Sequence, residues 1–223
     1  AWGVAQAKGP RLPLVLAPTT AGTGSEVTPV SIITVGDEEK RGVSSAIILP
    51  DIAVLDPELT LGLPPAITAA TGVDAMVHAI EAYASKNANN NPLSKMLARQ
   101  ALQLIGASIE KAVLDGKDVE ARGAMLLGSM LAGQAFANSP VAAVHALAYP
   151  IGGTFHVPHG LPNALVLPHV LCFNAPDAAH LYAEIAAAAF PRLAQEEGVQ
   201  GRCAAFIEEL ASLSKRLGLQ PRL

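Results

Sequence analysis

The pattern of hydrophobic and polar residues changes near residue 62. Before that point, short apolar runs alternate with turns rich in glycine, proline and charged residues, which predicts β-strands at residues 13–17, 31–35, 43–48 and 52–55. After it, alanine and leucine recur at the spacing of amphipathic helices. The pair Pro64-Pro65 is typical of a helix start. We therefore expect an α/β segment that is followed by a helical bundle.

The second part of the chain is expected to be almost wholly helical. Its predicted helices cover residues 71–85, 92–112, 119–137, 140–149, 178–189 and 202–217. A further apolar segment at 161–173 lies among them. Loops are expected at 87–91, which is rich in asparagine, and at 152–159, which begins with Gly-Gly.

One predicted helix carries a pair of possible metal ligands. In residues 71–85, Asp74 and His78 stand one helical turn apart on the same stripe, next to an apolar face. A carboxylate and an imidazole so placed can reach one ion. The alternative is structural, because Thr71 and Asp74 resemble a capping box in which Asp74 would only bind backbone amides at a helix start.

Histidines farther along the chain can complete such a site. Four of the six histidines lie between residues 145 and 169. His145 falls in a predicted short helix and His159 follows a Gly-Gly turn, so a chain reversal can bring both to the same point as Asp74 and His78. Three imidazoles and one carboxylate suit Zn²⁺ or Fe²⁺. Separate structural roles for the individual histidines are the alternative.

A second candidate site follows the first predicted strand. Residues 18–29, PTTAGTGSEVTP, place small and hydroxyl-bearing residues at the carboxyl end of a strand. Backbone amides and hydroxyls in such a place can hold a phosphate or a ribose. The wording is neither G-x-G-x-x-G nor a P-loop with its lysine, so a plain polar turn is the alternative.

Composition narrows the expected partners. The net charge is −4 and the basic residues are scattered, so we expect no nucleic-acid partner, and no apolar run is long enough to predict a membrane span. Cys172 and Cys203 lack CxxC spacing, which favours reduced thiols in a cytoplasmic protein. Hydrophobic residues make up 51% of the chain and charged residues 15%, so we expect a homodimer that pairs near residues 31–48.

Four motifs resemble the iron-containing (group III) alcohol dehydrogenase family. They are PTTAGTGSEVTP at 18–29, LPDIAVLDPELTLGLPP at 49–65, ATGVDAMVHAIEAYAS at 70–85 and VHALAYPIGGTFHVPHG at 144–160. The resemblance implies a dehydroquinate synthase-like fold, α/β plus all-α, with the active site in the cleft between two domains. Residues 1–62 would be the C-terminal part of the α/β nucleotide-binding domain, and residues 63–223 the helical metal-binding domain.

The resemblance also implies roles for individual residues. The family's metal ligands, which bind Fe²⁺ or Zn²⁺, correspond to Asp74, His78, His145 and His159. The threonine-rich loop that lies on NAD or NADP corresponds to Thr19, Thr20, Gly22 and Thr28, together with Lys40. The implied activity is metal-dependent hydride transfer between NAD(P) and a small alcohol, aldehyde or ketone.

Two departures from the family pattern stand out. A Gly-Gly-Gly-Ser pyrophosphate motif before the threonine-rich loop is absent, so we expect the sequence to lack most of the first domain and the last helices of the second. Many members also carry a histidine where this chain has Tyr149. A tyrosine, whose ordinary pKa is about 10, shuttles protons less well at neutral pH, and His156 could stand in, so both are candidate catalytic residues.

Other functions remain open at this point. Within the same superfamily, the alternatives are glycerol dehydrogenase-like and maleylacetate reductase-like enzymes. Outside it, they are a metal-binding paralogue without turnover and a metallohydrolase. The hydrolase lacks support because no H-E-x-x-H motif supplies a base beside the metal. The sequence leaves the choices between NAD and NADP, and between iron and zinc, open.

Overall fold

A computed structural model describes residues 2–36, 39–155, 157 and 159–220, apart from the side chain of Lys40. Strands come first and helices follow, which confirms the predicted change of character after residue 62. The strands are β1 (Gly3–Val4), β2 (Val15–Leu16), β3 (Val30–Val35), β4 (Glu39–Ser44) and β5 (Ile52–Ala53). The helices are α1 (Pro65–Ala84), α2 (Pro92–Leu114), α3 (Val119–Asn138), α4 (Ala143–Phe155), α5 (Gly160–Ala189) and α6 (Gly198–Arg216).

The strands form two small sheets. β3 and β4 make an antiparallel hairpin, β1 pairs with β4 in parallel, and β2 pairs with β5 in parallel. The predicted strand at 43–48 is wrong in its bounds, because β4 ends at Ser44 and Ala46–Ile48 form a short helical turn capped by Ser45. Gly36, with φ of 63°, reverses the chain early, so strand pairing resumes at Glu39.

Helix α1 is the centre of the bundle. It begins at Pro65, as the proline pair predicts, and residues 72–83 are all buried among α2, α3 and α5. Because Thr71 and Asp74 lie well inside the helix, the capping-box alternative is wrong. The Thr71 hydroxyl instead donates to the carbonyl of Ile67 at 2.9 Å. A helix that is buried on all sides exposes its polar residues only to the protein interior, which is where Asp74 and His78 point.

Capping residues and apolar packing explain the neighbouring helices. Asn91 caps α2 by accepting from the amides of Leu93 and Ser94, and Asp118 caps α3 by accepting from Ala121. The core is built mainly from side chains with almost no exposed surface, among them Met76, Ile80, Leu102, Ile105, Ile109, Met125, Leu126, Leu167, Leu171 and Ile185. Among the described helices, none is long and apolar enough to cross a membrane.

Several predicted boundaries in the second half are wrong, among them the start of α4, which is at Ala143 and not at residue 140. Helix α4 extends to Phe155 through the glycines that were expected to lie in a loop. Helix α5 runs unbroken over the segments predicted as 161–173 and 178–189, and α6 begins at Gly198 rather than at residue 202. Pro168 and Pro176 lie inside α5. Each proline removes one backbone hydrogen bond, and burial of Leu167, Leu171 and Tyr182 on the same helix offsets that loss.

Candidate metal and cofactor site

A cavity of about 610 Å³ lies between the strand segment and the helices. One wall comes from the threonine-rich loop and the β3–β4 hairpin, and includes Thr28 and Ser44. The opposite wall comes from α1, α3, α4 and the residue before α5, and includes Asp74, His78, Phe136, His145, Tyr149 and His159. The residues that the sequence predicts as metal ligands therefore face the loop that it predicts to hold a cofactor.

Asp74, His145 and His159 form a compact group of possible ligands. Each offers one atom, and the three atoms lie within 4.8 Å of one another. Asp74 Oδ1 is 3.6 Å from His145 Nε2 and 3.8 Å from His159 Nε2. A tetrahedral ion with bonds of about 2.1 Å holds its ligand atoms roughly 3.4 Å apart. A single divalent ion that is bound by nitrogen and oxygen atoms fits these spacings.

His78 adjoins this group through His145. The two Nε2 atoms are 2.9 Å apart, and the rings stack with centroids 4.6 Å apart. His78 Nδ1 lies 3.2 Å from the carbonyl of Gly22, so an Nδ1–H donor leaves the Nε2 lone pair facing the group. Burial lowers the pKa of His78 to about 4, which keeps it neutral at pH 7. The chemistry and direction of this donor suit a fourth ligand.

Asp74 is held by a residue that the sequence analysis missed. The carboxylate is buried, and its Oδ1 accepts from Nδ2 of Asn163 at 2.5 Å. Asn163 Nδ2 also lies 3.3 Å from His159 Nε2, while its fully buried Oδ1 has no hydrogen-bond partner among the described residues. Burial acts to raise the pKa of Asp74, but the facing histidines outweigh it and lower that pKa to about 2. The carboxylate is therefore ionised.

Glu81 is a second missed residue, and it lies behind His145. Its Oε2 is 2.7 Å from His145 Nδ1, and its Oε1 accepts from the amide of Val144 at 2.8 Å. Burial acts to lower the pKa of His145, but Asp74 and Glu81 outweigh it and raise that pKa to about 9. The spacing of Glu81, seven residues after Asp74 on one helix, was a usable signal, because it is two turns along the same stripe.

His159 owes its position to the first residue of α5. Gly160 is buried against Ala70 in α1, where an added Cβ would overlap the Ala70 carbonyl. This close approach of two backbones brings His159 to within reach of Asp74. His159 also stacks on Tyr149, with ring centroids 5.6 Å apart and planes at 14°.

The two candidate catalytic residues differ in what the structure describes. Tyr149 lines the cavity, and its ring lies 6.2 Å from that of His145. Burial raises its pKa above the ordinary value, and the charges of Asp74 and Glu81 add to that effect. His156 lies outside the described residues, so its assignment stays a prediction.

The predicted cofactor residues are only partly on the cavity. Thr28 is buried and lines it, whereas Thr19 and Thr20 are not among the described lining residues. Gly22 packs against Thr71, and its carbonyl oxygen faces Nδ1 of His78. The side chain of Lys40, on β4, lies outside the described part. Roles for these residues in cofactor binding stay predictions.

Close packing fixes the threonine-rich loop on the helices. Gly24 has φ of 58°, and a Cβ there would lie 2.6 Å from Cα of Gly133 in α3. Two glycines thus let the loop and the helix touch backbone to backbone. The loop that forms one wall of the cavity is seated directly on the bundle that forms the other.

Two family sequence models together match most of the chain. Residues 68–223 match the sequence model described as Fe-containing alcohol dehydrogenase family, C-terminal, and residues 2–57 match the one described as Iron-containing alcohol dehydrogenase. Long-chain-alcohol dehydrogenase 1 of Geobacillus thermodenitrificans is 52% identical over 160 residues, which are 72% of this chain and 40% of the relative.

Solved structures extend the similarity to the fold. A crystal structure of 1,3-propanediol oxidoreductase superposes with a TM-score of 0.92 at 37% identity, over 98% of this chain and 57% of the other. Sulfoacetaldehyde reductase from Bifidobacterium kashiwanohense, in complex with NAD+, gives a TM-score of 0.82 at 34% identity, over 96% and 54%. The predicted fold class is confirmed. The chain spans about half the length of these relatives.

Proposed function

Because this chain belongs to the iron-containing alcohol dehydrogenase family, we propose that the protein is a metal-dependent alcohol dehydrogenase. It transfers hydride between NAD or NADP and a small alcohol, aldehyde or ketone. The observation that carries this proposal is the convergence of Asp74, His145 and His159, with His78 beside them, on a cavity whose other wall is the threonine-rich loop.

Asp74, His78, His145 and His159 would hold the divalent ion. When bound, Fe²⁺ or Zn²⁺ supplies Lewis-acid chemistry, which polarises a carbonyl and lowers the pKa of an alcohol. The donor set supports this assignment, because the ionised Asp74 contributes negative charge and the neutral His78 directs its Nε2 lone pair at the group.

The other residues of the cavity serve the substrate and the cofactor. Phe136, Pro140 and Val141 form an apolar wall beside the ligands, which excludes water from the reacting carbon. The Tyr149 hydroxyl, with His156 as the alternative, relays the alcohol proton. Hydride transfer itself belongs to the nicotinamide, which the loop carrying Thr19, Thr20, Gly22 and Thr28, together with Lys40 on β4, would align.

We further propose that the protein is a cytoplasmic homodimer that acts on small molecules, without nucleic-acid or membrane partners. In the part of the chain that the structure describes, β3 is an edge strand, and it exposes 46% of both Ile32 and Ile33. An unpaired apolar edge favours pairing with a second copy. A monodisperse monomer of the full-length protein in light scattering would contradict this.

The experiment that tests the proposed activity uses three variants of the full-length protein. His159→Ala removes a proposed ligand, Tyr149→Phe removes a proposed proton relay, and His180→Ala changes an exposed histidine on α5 as the control. We expect His159→Ala to lose the ion and aldehyde reduction while NAD(H) binding persists. Tyr149→Phe should keep the ion and turn over more slowly, and the control should change neither.

Metal-to-protein ratio and the fall in NADH absorbance with small aldehydes are measured together. If His159→Ala keeps both its metal and its activity, the ligand set is wrong. If the unchanged protein binds metal but oxidises no NADH with any small aldehyde or ketone, a metal-binding paralogue or a metallohydrolase replaces the proposed dehydrogenase.

A further inference from the structure

Glu81 is a buried carboxylate that touches neither the cavity nor the proposed ion. Its residue is 6% exposed and sits in the interior of α1. Oε2 lies 2.7 Å from His145 Nδ1, on the side of the imidazole away from Asp74, and Oε1 accepts from the amide of Val144 at 2.8 Å. It does not belong to the lining of the cavity.

We infer that Glu81 is the positioning residue that sets the tautomer and orientation of His145, so that Nε2 faces the ligand group. The inference rests on the proposed function, because it concerns the same site. An ionised carboxylate can only accept hydrogen bonds, so the nitrogen facing it must carry a hydrogen. In the neutral ring, Nε2 is then the only nitrogen with a free lone pair.

The second oxygen of Glu81 positions the backbone of the same segment. Val144 lies in the first turn of α4, where amides have no partner within their own helix. Because Ala142, the residue before α4, has no polar side chain that could cap the helix, the carboxylate from α1 supplies one acceptor there. A negative charge near the N-terminus of a helix also interacts favourably with the helix dipole. One side chain thus fixes both the start of α4 and the ring that α4 presents.

Glutamine has almost the shape of glutamate but cannot replace it here. Its single amide oxygen can accept from Val144 or from His145, and its NH₂ group then faces the other donor. If the oxygen stays with Val144, the NH₂ group requires a lone pair on Nδ1, which moves the imidazole hydrogen to Nε2. If the oxygen moves to His145, the NH₂ group repels the amide of Val144. Either arrangement weakens metal binding at His145.

The test measures metal affinity in full-length Glu81→Gln. The metal-free proteins are titrated with Zn²⁺ in competition with a coloured chelator, and Co²⁺-loaded samples are compared by their visible absorption spectra. We expect the dissociation constant for Zn²⁺ to rise 10- to 100-fold, as is typical when such a partner of a ligand is lost, and the Co²⁺ spectrum to change. Glu184→Gln is the control, because it removes a carboxylate that accepts from the Tyr83 hydroxyl at 2.7 Å and belongs neither to the ligand group nor to the lining of the cavity.

The outcomes separate this inference from the proposed function. If the unchanged protein binds Zn²⁺ and reduces aldehydes with NADH, while Glu81→Gln matches it in Zn²⁺ affinity and Co²⁺ spectrum, the inference is overturned and the proposed function stands. If the unchanged protein binds no divalent ion, the proposed function is wrong, and the inference that rests on it is wrong as well. A lower melting temperature with unaltered affinity would assign Glu81 a structural role alone and would also overturn the inference.

A measurement on the unchanged protein covers the case in which Glu81→Gln does not fold. Histidines labelled with ¹⁵N are examined by NMR in the Zn²⁺-loaded protein. We expect His145 to carry its hydrogen on Nδ1, with that proton shifted downfield by the bond to Glu81, and none on Nε2. A hydrogen on Nε2 would overturn the inference.

Discussion

The strand segment before residue 62 and the helices after it bury their apolar residues very differently. Val4, Leu12 and Val15 in the first segment are 74%, 84% and 55% exposed, whereas Ile80 and Ile105 in the helices are 0% exposed. Among the described residues, Ala21 is the one buried hydrophobic residue that precedes Ala69. The hydrophobic core of this structure therefore belongs almost entirely to the helices.

Polar contacts and close docking take the place of a core in the strand segment. The Arg11 guanidinium donates to the carbonyls of Ile47 and Leu49 and pairs with Asp51, and Gly24 seats the loop on Gly133. The proposed metal ligands lie on or beside well-packed helices, while the proposed cofactor loop belongs to a segment that buries few apolar side chains. Ligand-binding loops commonly come from the less stable parts of a protein. The two halves of the site thus differ in how much apolar packing supports them.

The largest expected effect is a loss of stability when a side chain is removed from the helical core. Ile105→Ala removes a fully buried side chain from the helical core and should lower the free energy of unfolding by about 2–5 kcal/mol. Ile52→Ala, on β5 where the side chain is 55% exposed, should change it by less than about 0.5 kcal/mol. Urea unfolding of both variants measures the difference. Equal losses would show that the strand segment has a core of its own.

The helical half could be predicted from sequence because its signals are local. Pro65, Asn91-Pro92 and Asp118 mark the starts of α1, α2 and α3, and each start signal lies within a residue or two of the observed boundary. Strand bounds depend on pairing with distant residues and were less accurate. Helix α5 was divided wrongly because prolines normally end helices, and only tertiary packing reveals that these do not.

The site shows the same division between local and distant information. Asp74 and His78 share one helix, so their spacing alone suggests a common target. The spacing of Glu81 places it on the same stripe but does not reveal its role, and Asn163 carries no such signal, because the two residues act on partners 64 and 89 residues away in sequence. A buried polar residue on a helix has many possible hydrogen-bond partners, and the amino-acid sequence alone does not identify the one that it contacts.

An intermediate loss of stability is expected when the contact between the strand segment and the helices is disturbed. In Gly133→Ala, the added Cβ would lie 2.8 Å from the Gly24 carbonyl oxygen and 3.0 Å from Val27, so the loop must shift. We expect a loss of about 1–3 kcal/mol and faster proteolysis within residues 19–28. Gly201→Ala in α6 is the control, since nothing lies within 4 Å there, and it should stabilise by roughly 0.5–1 kcal/mol. Unchanged cleavage in Gly133→Ala would mean that the loop does not depend on this contact.

The smallest effect concerns the polar contacts of the strand segment. The hydrogen bond from Arg11 and the amide of Leu14 lower the pKa of Asp51 to about 2. Because this folded-state pKa lies below the unfolded value of about 3.9, the stabilisation is present above pH 4 and is lost as the pH falls toward 2. Asp51→Asn should therefore lose less stability than the unchanged protein between pH 5 and pH 2.5. Denaturant midpoints at both values measure this, with Asp177→Asn as the charge control, and parallel curves for all three proteins would contradict it.

The contact between Gly160 and Ala70 has a consequence for mutational tolerance. Position 160 offers no atom to an ion or a substrate, yet any side chain there would collide with the backbone of α1 and move His159 away from Asp74. In a saturation library selected for metal binding, position 160 should accept glycine as exclusively as position 159 accepts histidine. A sequence signature for this site is therefore a histidine–glycine pair. The histidine supplies the proposed ligand, and the glycine permits the short distance between the two helices.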